Sequence, residues 1–190
     1  MTKALPAGVP DVSPHIRLRC TIDDAMLDRF TEQLDAASKK DGPLVLELTT
    51  IGGDADIGRR IAGDILFERE YHGRGMLFLG KAAVYSAGVT ILSAFPPERR
   101  FLTAGTSLLV HERRMEKTLE LNGAMRANLA LVDDTLAEIE AAMAIERRDF
   151  ARLVEGTELT LDALLEKVLT RDWYLDEEEA LRLGLIAGVV

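Results

Sequence analysis

Short apolar runs alternate with longer stretches of helical periodicity along almost the whole chain, and this alternation restricts it to an α/β fold with a largely parallel sheet. The first run is Ile16-Arg17-Leu18-Arg19-Cys20, which alternates as a strand does. A helix follows, capped by Asp23 or Asp24 and running to about Lys39, with Met26, Leu27, Phe30 and Leu34 on one face. Gly42-Pro43 breaks it. Leu44 to Leu48 is the next strand and ends in Thr49-Thr50-Ile51-Gly52-Gly53-Asp54, with a helix expected from about Ala55 to Glu70. Met76 to Leu79 is a buried strand that leads through Gly80-Lys81-Ala82-Ala83-Val84-Tyr85 to Ser86. From Ser86 to Phe95 the residues are small or apolar, which suits a buried helix, and Pro96-Pro97 stops it.

Strands at Phe101-Leu102 and Leu108-Leu109-Val110 flank the turn Thr103 to Thr106, and His111 ends the second of them. From about Leu119 to Leu153 the pattern is one long helix or two abutting ones. Thr160 caps a short helix ending near Val168. Asp176 with Glu177, Glu178 and Glu179 caps another, closed by Gly184, before a strand from Leu185 to Val190. Residues 1–14, with Pro6, Pro10 and Pro14, read as a flexible arm, and 15–190 as a single domain.

A chain of 190 residues buries a full core without disulfides or metals. Its formal charge of -9 argues against a nucleic-acid surface, which needs clustered Lys and Arg. Cys20 is the single cysteine and has no intramolecular partner, so a reducing, cytoplasmic setting and a buried, inert thiol are expected. No signal peptide and no run of membrane-spanning length is visible. His15 and His72 have no ligand spacing, so neither a metal nor an organic cofactor is expected.

Hydrolysis of an acyl bond needs an activated nucleophile, a base in the right tautomer and donors aimed at the developing oxyanion. Ser86 follows a strand and a tight turn of small residues and opens a helix. Gly52-Gly53 ends another strand, where main-chain N–H groups can approach a ligand. His111 has an ordinary pKa near working pH, which suits a general base. Each has a plainer reading: a helix cap, a turn, a structural histidine. Asp172 could simply pair with Arg171 or a lysine. All four occurring in this order gives the chemical reading its weight.

That order resembles the proteolytic subunit of the Clp protease. The resemblance rests on Thr50-Ile51-Gly52-Gly53-Asp54, on Gly80 to Gly88 around Ser86, on Leu109-Val110-His111, and on Arg171-Asp172-Trp173-Tyr174-Leu175 with Glu179-Ala180 and Gly184-Leu185-Ile186. It runs from about Ile16 to Val190, and the separation of Ser86 from His111 matches the family's usual one. It implies stacked βαβ units of the kind shared with the crotonases, with a projecting and extended helical handle at about 112–155. It further implies a Ser86, His111, Asp172 triad and an oxyanion hole made by the backbone N–H groups of Gly53 and Ala87. The implied function is a serine endopeptidase acting on peptides or unfolded proteins as a homo-oligomer, with an ATPase unfoldase as the family's partner.

The sequence departs from the family pattern in four places. Ile51 replaces the usual proline. Glu112 to Lys117 is charged where the family has Gln-Pro and a glycine-rich strand. The separation of His111 from Asp172 is longer than usual, and the first residues differ from the family's axial loop. These departures bear on ring pairing, on ATPase docking and on substrate binding. Two other functions compete with the peptidase: a non-catalytic structural or regulatory relative, and a crotonase-type enzyme acting on acyl-coenzyme A. The triad order disfavours the first. The absence of a use for His111 disfavours the second.

Overall fold

A computed structural model describes residues 13–40 and 42–190; the expected arm lies almost entirely outside them. Among these residues seven strands form one sheet, five of them in the order β1 (Ile16–Arg19), β2 (Leu44–Thr50), β3 (Met76–Tyr85), β4 (Arg100–Leu102), β7 (Gly188–Val189). β5 (Ser107–Val110) pairs with β3 and with β6 (Trp173–Leu175). Every pairing is parallel except β5 with β6. The helices are α1 (Asp24–Ala37), α2 (Ala55–Glu70), α3 (Ala87–Ser93), α4 (Met125–Val154), α5 (Leu161–Leu169) and α6 (Glu177–Arg182).

The sheet buries both faces, as a parallel sheet must. Leu44, Leu46 and Leu48 of β2 and Met76 and Phe78 of β3 join the main core, with Met26 and Phe30 of α1 and Ile61 and Ile65 of α2. Their alternating neighbours Val45, Leu77 and Leu79 form a second cluster with Phe101. Asp23 starts α1 by accepting a hydrogen bond from the Met26 amide at 2.8 Å. Asp54 does the same for α2, taking the amides of Asp56 and Ile57.

Glu47, in the middle of β2, lies on the face of the second cluster and is almost wholly buried. Arg19 Nη2 donates to its Oε1 at 3.0 Å and Lys81 Nζ to its Oε2. Burial alone would raise this carboxyl, but the hydrogen bonds from Lys81 and Arg19 outweigh it and hold it below its ordinary value. A depressed carboxyl adds stability that is present above its unfolded pKa and is lost as the pH falls through the folded one. Glu47→Gln should therefore cost roughly 1–3 kcal/mol at neutral pH, with Arg19 and Lys81 still able to reach solvent. The difference from the parent should shrink below the ordinary carboxylate range in urea titrations at pH 7 and pH 3.

Five features differ from the sequence reading. β3 continues to Tyr85, because it forks. Phe78–Gly80 pair with β4 and Ala83–Tyr85 with β5, and Ala82 takes a positive φ of 59° at the bend. Residues 111–124 have no regular structure, so the long helix begins at Met125 rather than near Leu119; the Asn128 side chain ties its start to Gly123 through both the amide and the carbonyl. β6 is an additional antiparallel strand, and the C-terminal strand shrinks to Gly188–Val189. Cys20 is exposed, not buried: β1 stops at Arg19, and Cys20 leaves it in a turn at φ 79°.

Candidate active site

The fork in β3 carries the chain past the body of the sheet and ends it at Ser86. Ser86 has φ 55° and ψ -120°, a backbone position that a residue with a side chain occupies only when its surroundings hold it there. Two hydrogen bonds do so. The Ser86 amide donates to the Leu109 carbonyl of β5 at 2.8 Å, and the Ser86 carbonyl accepts from the Val89 amide at 2.8 Å. The Ser86 side chain makes no capping bond to α3, so the hydroxyl is not used as a helix cap.

Gly52 and Gly53 follow β2 with φ 104° and 149°. A Cβ on Gly52 would lie 2.8 Å from Ser86 Cβ, and one on Gly53 would lie 2.3 Å from the Ile22 carbonyl oxygen. Only glycine lets this turn close against Ser86 on one side and the start of α1 on the other. The bridge between Ile22 and Gly53 uses the Gly52 carbonyl and the Asp54 amide, which leaves the Gly53 amide out of the ladder. Ala87 is the first residue of α3, where an amide has no partner within the helix.

Gly53, Ser86, Ala87 and His111 line one cavity of about 370 Å³. Half-buried His111 stands at the end of β5. Its Nδ1 donates to the Glu112 carbonyl at 2.6 Å, which fixes the tautomer and leaves Nε2 as the proton acceptor. Asp172 does not line this cavity. Its Oδ1 accepts a hydrogen bond from Arg114 Nη2 at 2.7 Å. Among the described residues no hydrogen bond joins Ser86 to His111 or His111 to Asp172. The β5–β6 ladder nevertheless pairs Leu108 with Leu175, Leu109 with Tyr174 and Val110 with Trp173. One step further, its register sets His111 across from Asp172.

The cavity also holds charged residues of α2, α4 and the segment after His111. Arg59 of α2 and Asp149 of α4 pair at 3.6 Å, and Arg113 Nη2 donates to Asp56 Oδ1 at 2.9 Å. The hydrogen bond from Arg113 holds the Asp56 carboxyl below its ordinary value. Burial raises Asp149 and Glu146, against the lowering pull of the arginines around them. The spacing of Asp56 and Arg59, and of Glu146 and Asp149, put each pair on one helix face, which is the one local signal for them. Their convergence on Ser86 depends on how α4 returns to the sheet. Among the described residues there is no cluster of three or more metal-ligating side chains and no helix long and apolar enough to cross a membrane.

The family model for Clp protease matches residues 12–190. ATP-dependent Clp protease proteolytic subunit 2 of Pseudomonas aeruginosa is 25% identical over 171 residues, which cover 89% of this chain and 77% of that protein. A solved structure of a ClpP1 variant from Listeria monocytogenes superposes with a TM-score of 0.73 at 20% identity, over 92% of this chain and 90% of that one. That likeness extends the stacked βαβ architecture to nearly the whole chain. With nearly every residue inside the family model, the chain belongs to the Clp protease family.

Proposed function

We propose that the chain is a serine endopeptidase with Ser86 as nucleophile, His111 as general base and Asp172 as the carboxylate that orients it. The observation that carries this reading is the convergence of strained Ser86, the His111 ring and the uncommitted Gly53 and Ala87 amides on one cavity. His111 Nε2 takes the Ser86 hydroxyl proton as Oγ attacks the scissile carbonyl. The Gly53 and Ala87 N–H groups receive the oxyanion. His111 then hands its proton to the leaving amine, and water, deprotonated by the same ring, releases the acyl group from Ser86.

The substrate is a peptide or an unfolded segment. The working form is a homo-oligomer, supported by the exposed apolar row Met125, Leu129, Val132, Leu136, Ile139 and Met143 along α4. An ATPase unfoldase partner follows from the family alone. The free thiol of Cys20 is in keeping with a reducing compartment such as the cytoplasm. The reading is tested by incubating the full chain with a fluorogenic peptide library and with unfolded casein. Turnover of short peptides is expected; a folded oligomer that cleaves neither would overturn it.

A further inference from the structure

We infer that Arg114 is a positioning residue that withholds Asp172 from His111, so that the residues just after His111 act as a latch on the catalytic relay. This rests on the peptidase reading above. The backbone is already set for the relay, since the β5–β6 register brings His111 opposite Asp172. The side chains are not. The His111 Nδ1 proton goes to the Glu112 carbonyl, and the Asp172 carboxylate is held by Arg114. Both competing partners come from the three residues that follow His111.

Those residues are fastened in place from two sides. The Arg113 amide donates to Glu146 of α4, and the Arg113 guanidinium donates to Asp56 of α2. Glu112 and Arg114 flank this anchored residue, so each is held beside the relay member it engages, Glu112 at His111 and Arg114 at Asp172. Arg113 Nη1 is buried and has no hydrogen-bond partner among the described residues, so the anchor holds its guanidinium through Asp56 alone.

The lock itself is weak. Arg114 is 71% and Asp172 37% exposed at the side chain, and an exposed pair shifts an equilibrium by at most about fivefold. Such a contact is strong enough to set a resting state and weak enough to be released by substrate. It is also sensitive to salt, because exposed charges are screened.

The test uses the full chain in two measurements. The first is the second-order rate of fluorophosphonate labelling. Arg114→Ala should raise it by about three- to fivefold, Arg114→Lys should leave it near the parent value, and high salt should accelerate the parent but not Arg114→Ala. The second is the His111 Nδ1 proton in one-dimensional NMR of Ser86→Ala protein. A far-downfield resonance, the mark of a His–carboxylate hydrogen bond, should be missing with Arg114 present. It should appear with Arg114→Ala and vanish again when Asp172→Asn is added. A downfield proton already present with Arg114 in place, its continued absence in Arg114→Ala, or measurable labelling that Arg114→Ala leaves unchanged, would overturn the latch. If the resonance behaves as expected but no variant labels, the latch stands and the peptidase reading fails.

Discussion

Ser86→Ala is expected to abolish peptide hydrolysis, with a loss on the order of a millionfold in kcat, while leaving the protein as stable as its parent. The rate effect follows from the role: removing the nucleophile of a triad leaves only the residual catalysis of the oxyanion donors and of binding. The stability effect follows from the structure. A serine that caps a helix costs about 1 kcal/mol when replaced by alanine. The Ser86 hydroxyl makes no such bond, and its backbone is held by the Leu109 carbonyl and the Val89 amide, which alanine keeps. The change should therefore stay within about 0.5 kcal/mol. Paired measurements of hydrolysis and urea unfolding check both parts. A variant that loses stability but keeps activity would identify Ser86 as a structural residue.

Arg100→Met should destabilise the protein more than either Ser86→Ala or Glu47→Gln. Arg100 is 1% exposed, and no acid makes an ion pair with it among the described residues. Burial lowers its pKa to about 10, the negative charge of Glu98 opposing that pull. Its guanidinium is used as a hub of carbonyl contacts. Nε donates to the Phe95 carbonyl just past α3, Nη1 to the carbonyls of Leu153 in α4 and Leu185, and Nη2 to that of Arg152. One side chain thus gathers the C-terminal ends of two helices and the segment leading into β7. Methionine fills much of the volume but satisfies none of the four oxygens. Leaving buried carbonyls unpaired costs about 1–3 kcal/mol each, and relief from burying the charge offsets part of it. A net loss of about 3–5 kcal/mol is expected, or a fall in Tm of roughly 2–4 °C for each kcal/mol in a chain of this size. Calorimetry on both proteins measures it. A shift of a degree or less would mean that the carbonyls find water instead.

The elements that local pattern determines were legible in the sequence. The helix expected from about Ala55 to Glu70 is α2, and Asp54 caps it. Thr160 caps α5, and Asp176 caps α6, through the expected side-chain bonds. Elements that depend on distant partners were not legible. Gly80 to Tyr85 has the small residues of a turn, yet it is strand, because β4 and β5 each pair with a different half of β3. Trp173–Leu175 is too short to show a period and is a strand only because β5 lies beside it.

The same division runs through the site. Ser86, His111 and the two glycines stand at strand ends that the sequence marks, and the fold brings them to one cavity. Asp172 stands one residue before β6, a strand the sequence does not mark, and nothing in the sequence shows that Arg114 holds the carboxylate. That contact spans a long stretch of chain, and it forms because β6 runs antiparallel to β5. The charged residues after His111 stood out as unusual, and their partners Asp56 and Glu146 became visible only once α2 and α4 were placed.

Activation of Ser86 by His111 is the step on which the proposed peptidase chemistry depends. Mass spectrometry of the full chain after treatment with a fluorophosphonate probe tests it most directly. One adduct per chain is expected, on the peptide that contains Ser86, absent from Ser86→Ala and formed at a strongly reduced rate in His111→Ala. An adduct on another residue, or Ser86 labelling that is indifferent to His111, would contradict it.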